Sequence, residues 1–176
     1  MSVDNYVPYG FNDFYGLDEQ SVFADYVVIM GYDEHYAGSQ EPGSVASLGY
    51  VTYGIEEALK DVPADRLVNG IPFFTRIWKT NQEGVTSTAY GMREADLFMS
   101  NHGMEKEWDE STGQYYAETT DDEYLYQCWV EDSESLRAKL EVMHSYGIAG
   151  VAEWALGLED PVVWYEIAAY MNGFEE

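Results

Sequence analysis

Three short apolar runs separated by helical patterns constrain this chain more than anything else in it. They are Ala24-Asp25-Tyr26-Val27-Val28-Ile29-Met30, Leu67-Val68-Asn69-Gly70-Ile71-Pro72-Phe73-Phe74 and Gly147-Ile148-Ala149-Gly150-Val151-Ala152. None alternates apolar with polar, which is the pattern of strands covered on both faces in a parallel sheet. Helical stretches separate them. Ser44–Lys60 places Val45, Leu48, Val51, Ile55 and Leu59 on one stripe. Asp132–Tyr146 carries Leu136, Leu140 and Met143, with Asp132 as N-cap and Gly147 as stop. Asp160-Pro161 opens a last helix through Tyr170, with proline at the first helical position, and a shorter helix covers Leu17–Phe23. Strand and helix in alternation predict an α/β fold with right-handed parallel crossovers.

The spacing is uneven. The second and third runs lie about twice as far apart as the first and second, and the excess falls between Trp78 and Val130. There Tyr90–His102 reads as a helix stopped by Gly103. Glu107–Asp109, Gln114–Glu118 and Glu123–Val130 read as short strands joined by turns at Ser111-Thr112-Gly113 and Thr120-Asp121-Asp122. The expected organisation is βα units over residues 1–78 and 130–176, with an α+β insertion over 79–129. Tyr115, Tyr116, Tyr124, Tyr126 and Trp129 would form either that insertion's core or a ligand wall.

Composition removes several function classes. Eight Lys and Arg against 33 Asp and Glu give a net charge of −25, which excludes a phosphate-backbone partner because nucleic-acid binding needs a basic face. The same charge disfavours anionic membranes. No apolar run approaches the ~20 residues of a transmembrane helix, and the N-terminus carries no basic-apolar signal segment. Aromatics at 16% rule out an acidic disordered tail. Cys128 is the single cysteine, so neither an internal disulfide nor a cysteine-based zinc site is available. No cofactor is implied and no His or Asp set suggests a metal.

The residue chemistry changes where the runs end: Gly31-Tyr32-Asp33-Glu34-His35-Tyr36 after the first, Thr75-Arg76-Ile77-Trp78 after the second, Glu153-Trp154 after the third. Ligands of α/β folds bind at the C-terminal ends of strands. Carboxylate and guanidinium partners beside aromatic faces suit a sugar ring, whose hydroxyls need polar partners and whose C–H face packs on indole. Taken alone, Trp154 reads as a core tryptophan and Tyr32 as an ordinary strand-end tyrosine. Trp78 fits either the rim or the insertion. His35 reads as a rim hydrogen-bonding group, and His102 and His144 as helix-end or helix-surface residues. The clusters Asp121-Asp122-Glu123 and Glu131-Asp132-Ser133-Glu134 read as solvated surface.

Met30-Gly31-Tyr32-Asp33 resembles the M-x-Y-D signature of glycoside hydrolase family 18, the chitinase-like family. Gly70-Ile71-Pro72-Phe73-Phe74-Thr75-Arg76-Ile77-Trp78 resembles that family's seventh strand. Trp129-Val130-Glu131-Asp132-Ser133-Glu134-Ser135-Leu136-Arg137-Ala138-Lys139 resembles its approach to the seventh helix, and Gly150-Val151-Ala152-Glu153-Trp154-Ala155-Leu156-Gly157 its eighth strand. The nearest flavour is the bacterial spore-lytic and cell-wall branch. The resemblance implies a (β/α)8 barrel, which needs ~200 residues or more. The residues outside the insertion suffice for about four units of ~30 residues each. The expected fold is therefore the C-terminal half of a TIM barrel, with Ser2–Tyr9 as the end of strand five and the family's D-x-x-D-x-D-x-E motif absent.

The resemblance also implies a mechanism and a role for each rim residue. The substrate's own N-acetyl group attacks the anomeric carbon, the exception to the two-carboxylate scheme. Tyr32 would stabilise the oxazolinium-like intermediate, and Asp33 would bind a hydroxyl or support the missing carboxylates. Arg76 would orient a hydroxyl or pair with Asp33, Trp154 would floor the reacting sugar, and Met30 would line the site. Neither Glu34 nor Glu153 is expected to replace the missing acid. The expected partner is an N-acetylated glycan, chitin or peptidoglycan. The parent would be extracellular or associated with wall or spore, and the chain alone inactive, self-associating through its open barrel edges. The alternatives are a non-catalytic glycan-binding module and a structural fragment without activity.

Overall fold

The computed structural model describes residues 2–4 and 16–174. In chain order the elements are β1 (Ser2–Asp4), α1 (Leu17–Phe23), β2 (Val27–Met30), α2 (Leu48–Ala58), β3 (Leu67–Pro72), β4 (Phe74–Asn81), β5 (Gly84–Gly91), α3 (Met92–Asn101), β6 (Lys106–Asp109), β7 (Gln114–Thr120), β8 (Leu125–Val130), α4 (Ser133–Tyr146), β9 (Gly150–Trp154) and α5 (Val163–Met171). A 3-10 turn at Ala64–Arg66 leads into β3. Beyond Asp4, the expected strand through Tyr9 lies outside the described residues.

Two sheets result. The first is wholly parallel in the order β1-β2-β3-β9. Val27, Ile29, Leu67 and Ile71 on one of its faces are 0–2% exposed, in one cluster with Val51 and Ile55 of α2, Leu136, Leu140 and Met143 of α4, and Val163 and Ile167 of α5. Burying each such side chain contributes roughly 1.5–3 kcal/mol, so the helical stripes settle which face the helices cover. Val28, Met30, Val68 and Ala152 fall on the other face and remain partly exposed.

The second sheet is antiparallel in the order β5-β4-β8-β7-β6. Helix α3 packs on one of its sides, where Met99 meets Ile77, Ala117, Tyr126, Cys128 and Val130. The five aromatics divide between the two sides. Tyr126, with Tyr115 and Tyr124, belongs to the core under α3, whereas Tyr116 and Trp129 lie against each other, ring centroids 4.9 Å apart.

Several boundaries differ from the sequence reading. The run Leu67–Phe74 is two strands: Phe73 bends the chain, and its N–H donates to Trp154 O at 2.7 Å. β4 therefore enters the second sheet at Phe74, and Arg76 and Trp78 belong to that sheet. The run hides the junction because both strands are buried. The hairpin partner β5, Gly84-Val85-Thr86-Ser87-Thr88-Ala89-Tyr90-Gly91, escapes the sequence pattern. It is a polar edge strand, largely exposed and without apolar alternation.

The helix expected from Tyr90 begins at Met92, because Tyr90 and Gly91 still pair with β4. Helix α2 starts at Leu48 instead of Ser44, capped by Ser47 Oγ, which accepts from Tyr50 N at 3.1 Å. Asp160 and Pro161 form a tight turn ahead of α5: Asp160 O accepts from Val163 N and Asp160 Oδ1 from Val162 N. The helix then begins at Val163, with Pro161 outside it. Asp132 and Gly147 bound α4 as expected. Asp132 Oδ1 accepts from Ser135 N, and Gly147 takes the left-handed conformation at φ 63°.

Candidate functional site

The parallel strands deliver their C-terminal ends to one rim. Gly31 N donates to Gly70 O at 2.9 Å, which draws the chain leaving β2 against β3. A Cβ on Gly31 would lie 2.7 Å from that same oxygen and 2.5 Å from Asn69 Oδ1, so glycine is required for this approach. A Cβ on Gly70 would stand 3.3 Å from the Tyr32 ring. Gly31 thus lets the chain approach β3 and Gly70 makes room for Tyr32, whose ring also meets Phe74 edge-on at 6.5 Å.

Met30, Tyr32, Gly70, Ala152 and Trp154 share the wall of a cavity of about 180 Å³. Trp154 closes β9 and is 58% exposed, so it is no core tryptophan. The expected pair of Tyr32 and Trp154 is thus brought to one cavity, together with Met30.

Asp33 and Arg76 also meet, at 3.9 Å. Asp33 sits at φ 63°, in the left-handed region that Asp tolerates better than most residues. Arg76 arrives from β4 and is 9% exposed. Its Nη1 donates to Ser87 Oγ at 3.2 Å, while its Nε is buried without a hydrogen-bond partner. Burial pulls the guanidinium below its ordinary value, and the Asp33 charge opposes that pull.

The remaining rim residues have structural partners. Glu34 accepts from Ser47 N at 2.8 Å and from Ser47 Oγ at 3.1 Å, which ties the rim to the start of α2. His35 Nδ1 lies 3.0 Å from Ser44 O. Trp78 is fully buried, and its Nε1 donates to Gly43 O at 2.8 Å, so it links the second sheet to the segment before α2. Glu153 is partly buried in β9, and burial raises its carboxyl above the ordinary value. His102 stacks on Phe98 at 3.9 Å and His144 meets Phe174, both away from the rim. Among the described residues no group of three or more His, Cys, Asp or Glu could hold a metal ion, and no helix is long and apolar enough to cross a membrane.

One assignment needs correction. Glu131 is not solvated surface: it is 1% exposed and bonded to Lys139 Nζ at 3.0 and 2.9 Å. Gln114 Nε2 and Ser135 Oγ donate to the same carboxylate at 2.8 and 2.9 Å. Burial pushes the Glu131 carboxyl up while Lys139 and Ser135 pull it back. A signal for this lies in the sequence, since Lys139 falls on the apolar stripe with Leu136, Leu140 and Met143, where a cation needs a buried partner.

The model of Glycosyl hydrolases family 18 matches residues 2–159. The cortical fragment-lytic enzyme of Bacillus subtilis is 27% identical over 151 residues, covering 84% of this chain and 35% of its own length. The glycosylase YvbX of the same organism, itself uncharacterized, is 29% identical over 146 residues, covering 82% of this chain and 42% of its own. Among solved structures, a chitinase from Chromobacterium violaceum superposes with a TM-score of 0.87 at 25% identity, over 97% of this chain and 54% of the chitinase. This chain therefore spans under half the length of those curated relatives and about half of that chitinase. A family match that takes in all the rim residues and nearly the whole chain has one meaning: the chain belongs to glycoside hydrolase family 18.

Proposed function

We propose that this chain is the C-terminal half of a (β/α)8 barrel and supplies one wall of a site that hydrolyses β-1,4-linked N-acetylglucosamine polymers, chitin or peptidoglycan. The observation that carries the reading is the cavity shared by Tyr32 and Trp154 at the ends of parallel strands, with Asp33, the residue after Tyr32, paired to Arg76 of the second sheet. Among the described residues its outer strands, β1 and β9, each have one partner strand. Partial coverage of longer relatives supports the half-barrel, and the names of those relatives support the polymer class.

The division of labour rests on the chemistry. In substrate-assisted hydrolysis the acetamide oxygen attacks the anomeric carbon and positive charge develops on the ring that forms. Tyr32 hydrogen-bonds that acetamide and Trp154 stacks under the sugar, so the reacting atoms are held in register. Asp33 and Arg76 take hydroxyls, and their charges are already in place when the transition state forms. None of these groups protonates the leaving oxygen. Glu34 is occupied by Ser47, and the acid belongs to the complementary half. The isolated chain should therefore not turn over chitooligosaccharides, and a rate above buffer would refute this assignment.

The open face bears on assembly. Val22 and Phe23 of α1 and Tyr26 ahead of β2 are 71%, 89% and 55% exposed, and Leu156 after β9 and Tyr165 and Met171 of α5 are 74%, 77% and 69% exposed. Such surfaces favour association that covers them, with a second copy or with the complementary half. Light scattering at high concentration should report a species larger than a monomer, and a stable monomer counts against it. The parent enzyme would work outside the cell, at the wall or spore.

The exposure of Trp154 beside a formed cavity also favours a second reading, a module that binds glycan without cleaving it. Calorimetry with chitotriose decides: heat that disappears in Trp154→Ala supports binding, and no heat with any N-acetylated sugar removes it.

A further inference from the structure

The rim segment that carries Asp33 has no long element of its own to hold it. It is held by residues 43–47. Glu34 N donates to Val45 O at 2.9 Å, His35 N to Ser44 O at 3.1 Å, and His35 Nδ1 reaches Ser44 O as well. Since Ser44 O is a carbonyl acceptor, the His35 ring must carry its proton on Nδ1. Segment 43–47 is in turn anchored to the second sheet. Ser44 Oγ donates to Gln114 Oε1 and accepts from Ala46 N at 3.0 Å. Trp78 Nε1 donates to Gly43 O, and Leu48 N donates to Thr112 O at 2.7 Å.

Gln114 is fully buried and satisfied at both ends of its amide. Its oxygen accepts from Ser44 and its nitrogen donates to Glu131, which Lys139 and Ser135 complete. A buried network in which each member is satisfied has one low-energy arrangement. The second sheet thus supplies Arg76 directly and fixes the segment facing it through Gln114.

We propose that Gln114 is a positioning residue for the rim: through Ser44 it sets His35 and so places Asp33 opposite Arg76. The Glu131–Lys139 pair is the rigid base of this connection, and the sheet that looks like an appendage is what aligns the two halves of the Asp33–Arg76 pair. Only the use of that pair rests on the proposed function. The test needs no saccharide, so the two fail separately.

That test is amide hydrogen exchange of the intact chain with Gln114→Ala, combined with nitrogen chemical shifts of the His35 ring. The expected result is exchange at Glu34 and His35 accelerated about tenfold or more relative to Ile55 in α2, with the His35 proton moving from Nδ1 toward Nε2. A residue that only contributes to stability would accelerate all three amides by one common factor and leave the tautomer alone, and that outcome overturns the proposal. Ser44→Ala cuts the same connection at its outer end while keeping the Glu131 network, so it decides the matter if Gln114→Ala fails to fold. Unchanged protection and an unchanged His35 tautomer in Ser44→Ala also overturn it.

Discussion

Replacing Lys139 by Met probes the energetics of the buried pair most directly. The Glu131 carboxylate receives four donor contacts, two from Lys139 and one each from Gln114 and Ser135. Both charged side chains are 0% exposed. Methionine keeps the length and flexibility of the lysine stem but removes the cation, and at that burial solvent does not replace it. Breaking one side of such a pair costs about 3–5 kcal/mol. A domain of this size loses about 2–4 °C of Tm per kcal/mol, so the expected drop is about 6–20 °C. Without the cation, the neutral carboxyl is favoured further and its pKa rises, so the loss should shrink as pH falls and Glu131 is protonated. Urea denaturation of the wild type, Lys139→Met, Glu131→Gln and the double variant at about pH 8 and pH 5 measures each quantity. The double variant should cost at least ~2 kcal/mol less than the sum of the singles. A single-variant loss below ~1 kcal/mol, or strict additivity, would refute the reasoning.

Three further outcomes are expected. Burial raises Glu153 in the folded state, so the folded chain takes up that proton before the unfolded chain does. Its contribution to stability is fully present below the unfolded value of ~4.3 and is lost as pH rises through the folded one. Thermal melts should show a smaller gain on acidification from about pH 7 to pH 5 in Glu153→Gln than in the wild type, and identical gains argue against it. The Cys128 thiol, buried beside Met99 Sδ at 3.7 Å, is pushed up to about 12 by burial. A disulfide reagent at about pH 8 should label it in urea but not in the native chain, and rapid stoichiometric native labelling would contradict the packing. Gly31→Ala should cost ~1–3 kcal/mol, because its methyl group would meet the Gly70 backbone oxygen at 2.7 Å; an unchanged urea midpoint would show that β2 and β3 can part there at little cost.

Local rules wrote most of the elements. Asp132 and Gly147 bound α4 because capping chemistry acts within a few residues. The meander of β6, β7 and β8 is marked by turn residues, with Gly113 at φ 65° and Asp121 Oδ1 accepting from Glu123 N and Tyr124 N. Where expectation and structure part, the deciding contact lies far along the chain. The break at Phe73 is set by Trp154 O, and the polar strand β5 exists because β4 offers it an edge.

The candidate site divides in the same way. Tyr32, Asp33, Arg76 and Trp154 were legible because each stands where a strand pattern ends and a known motif continues. That Arg76 comes from a different sheet was not legible, since a buried run looks alike whichever sheet it joins. Nor was the polar network of Ser44, Gln114, Glu131 and Lys139, whose members are scattered through the chain and whose burial is visible only once it has folded. By itself, the sequence determined the alternation of strand and helix, the ends of α4 and the places where the strands end at the rim, because propensity and periodicity are properties of short stretches. Only the tertiary structure decided which acids are buried, which sheet carries Arg76 and what holds Asp33 in place, because burial and pairing depend on what distant segments bring to the same point in space.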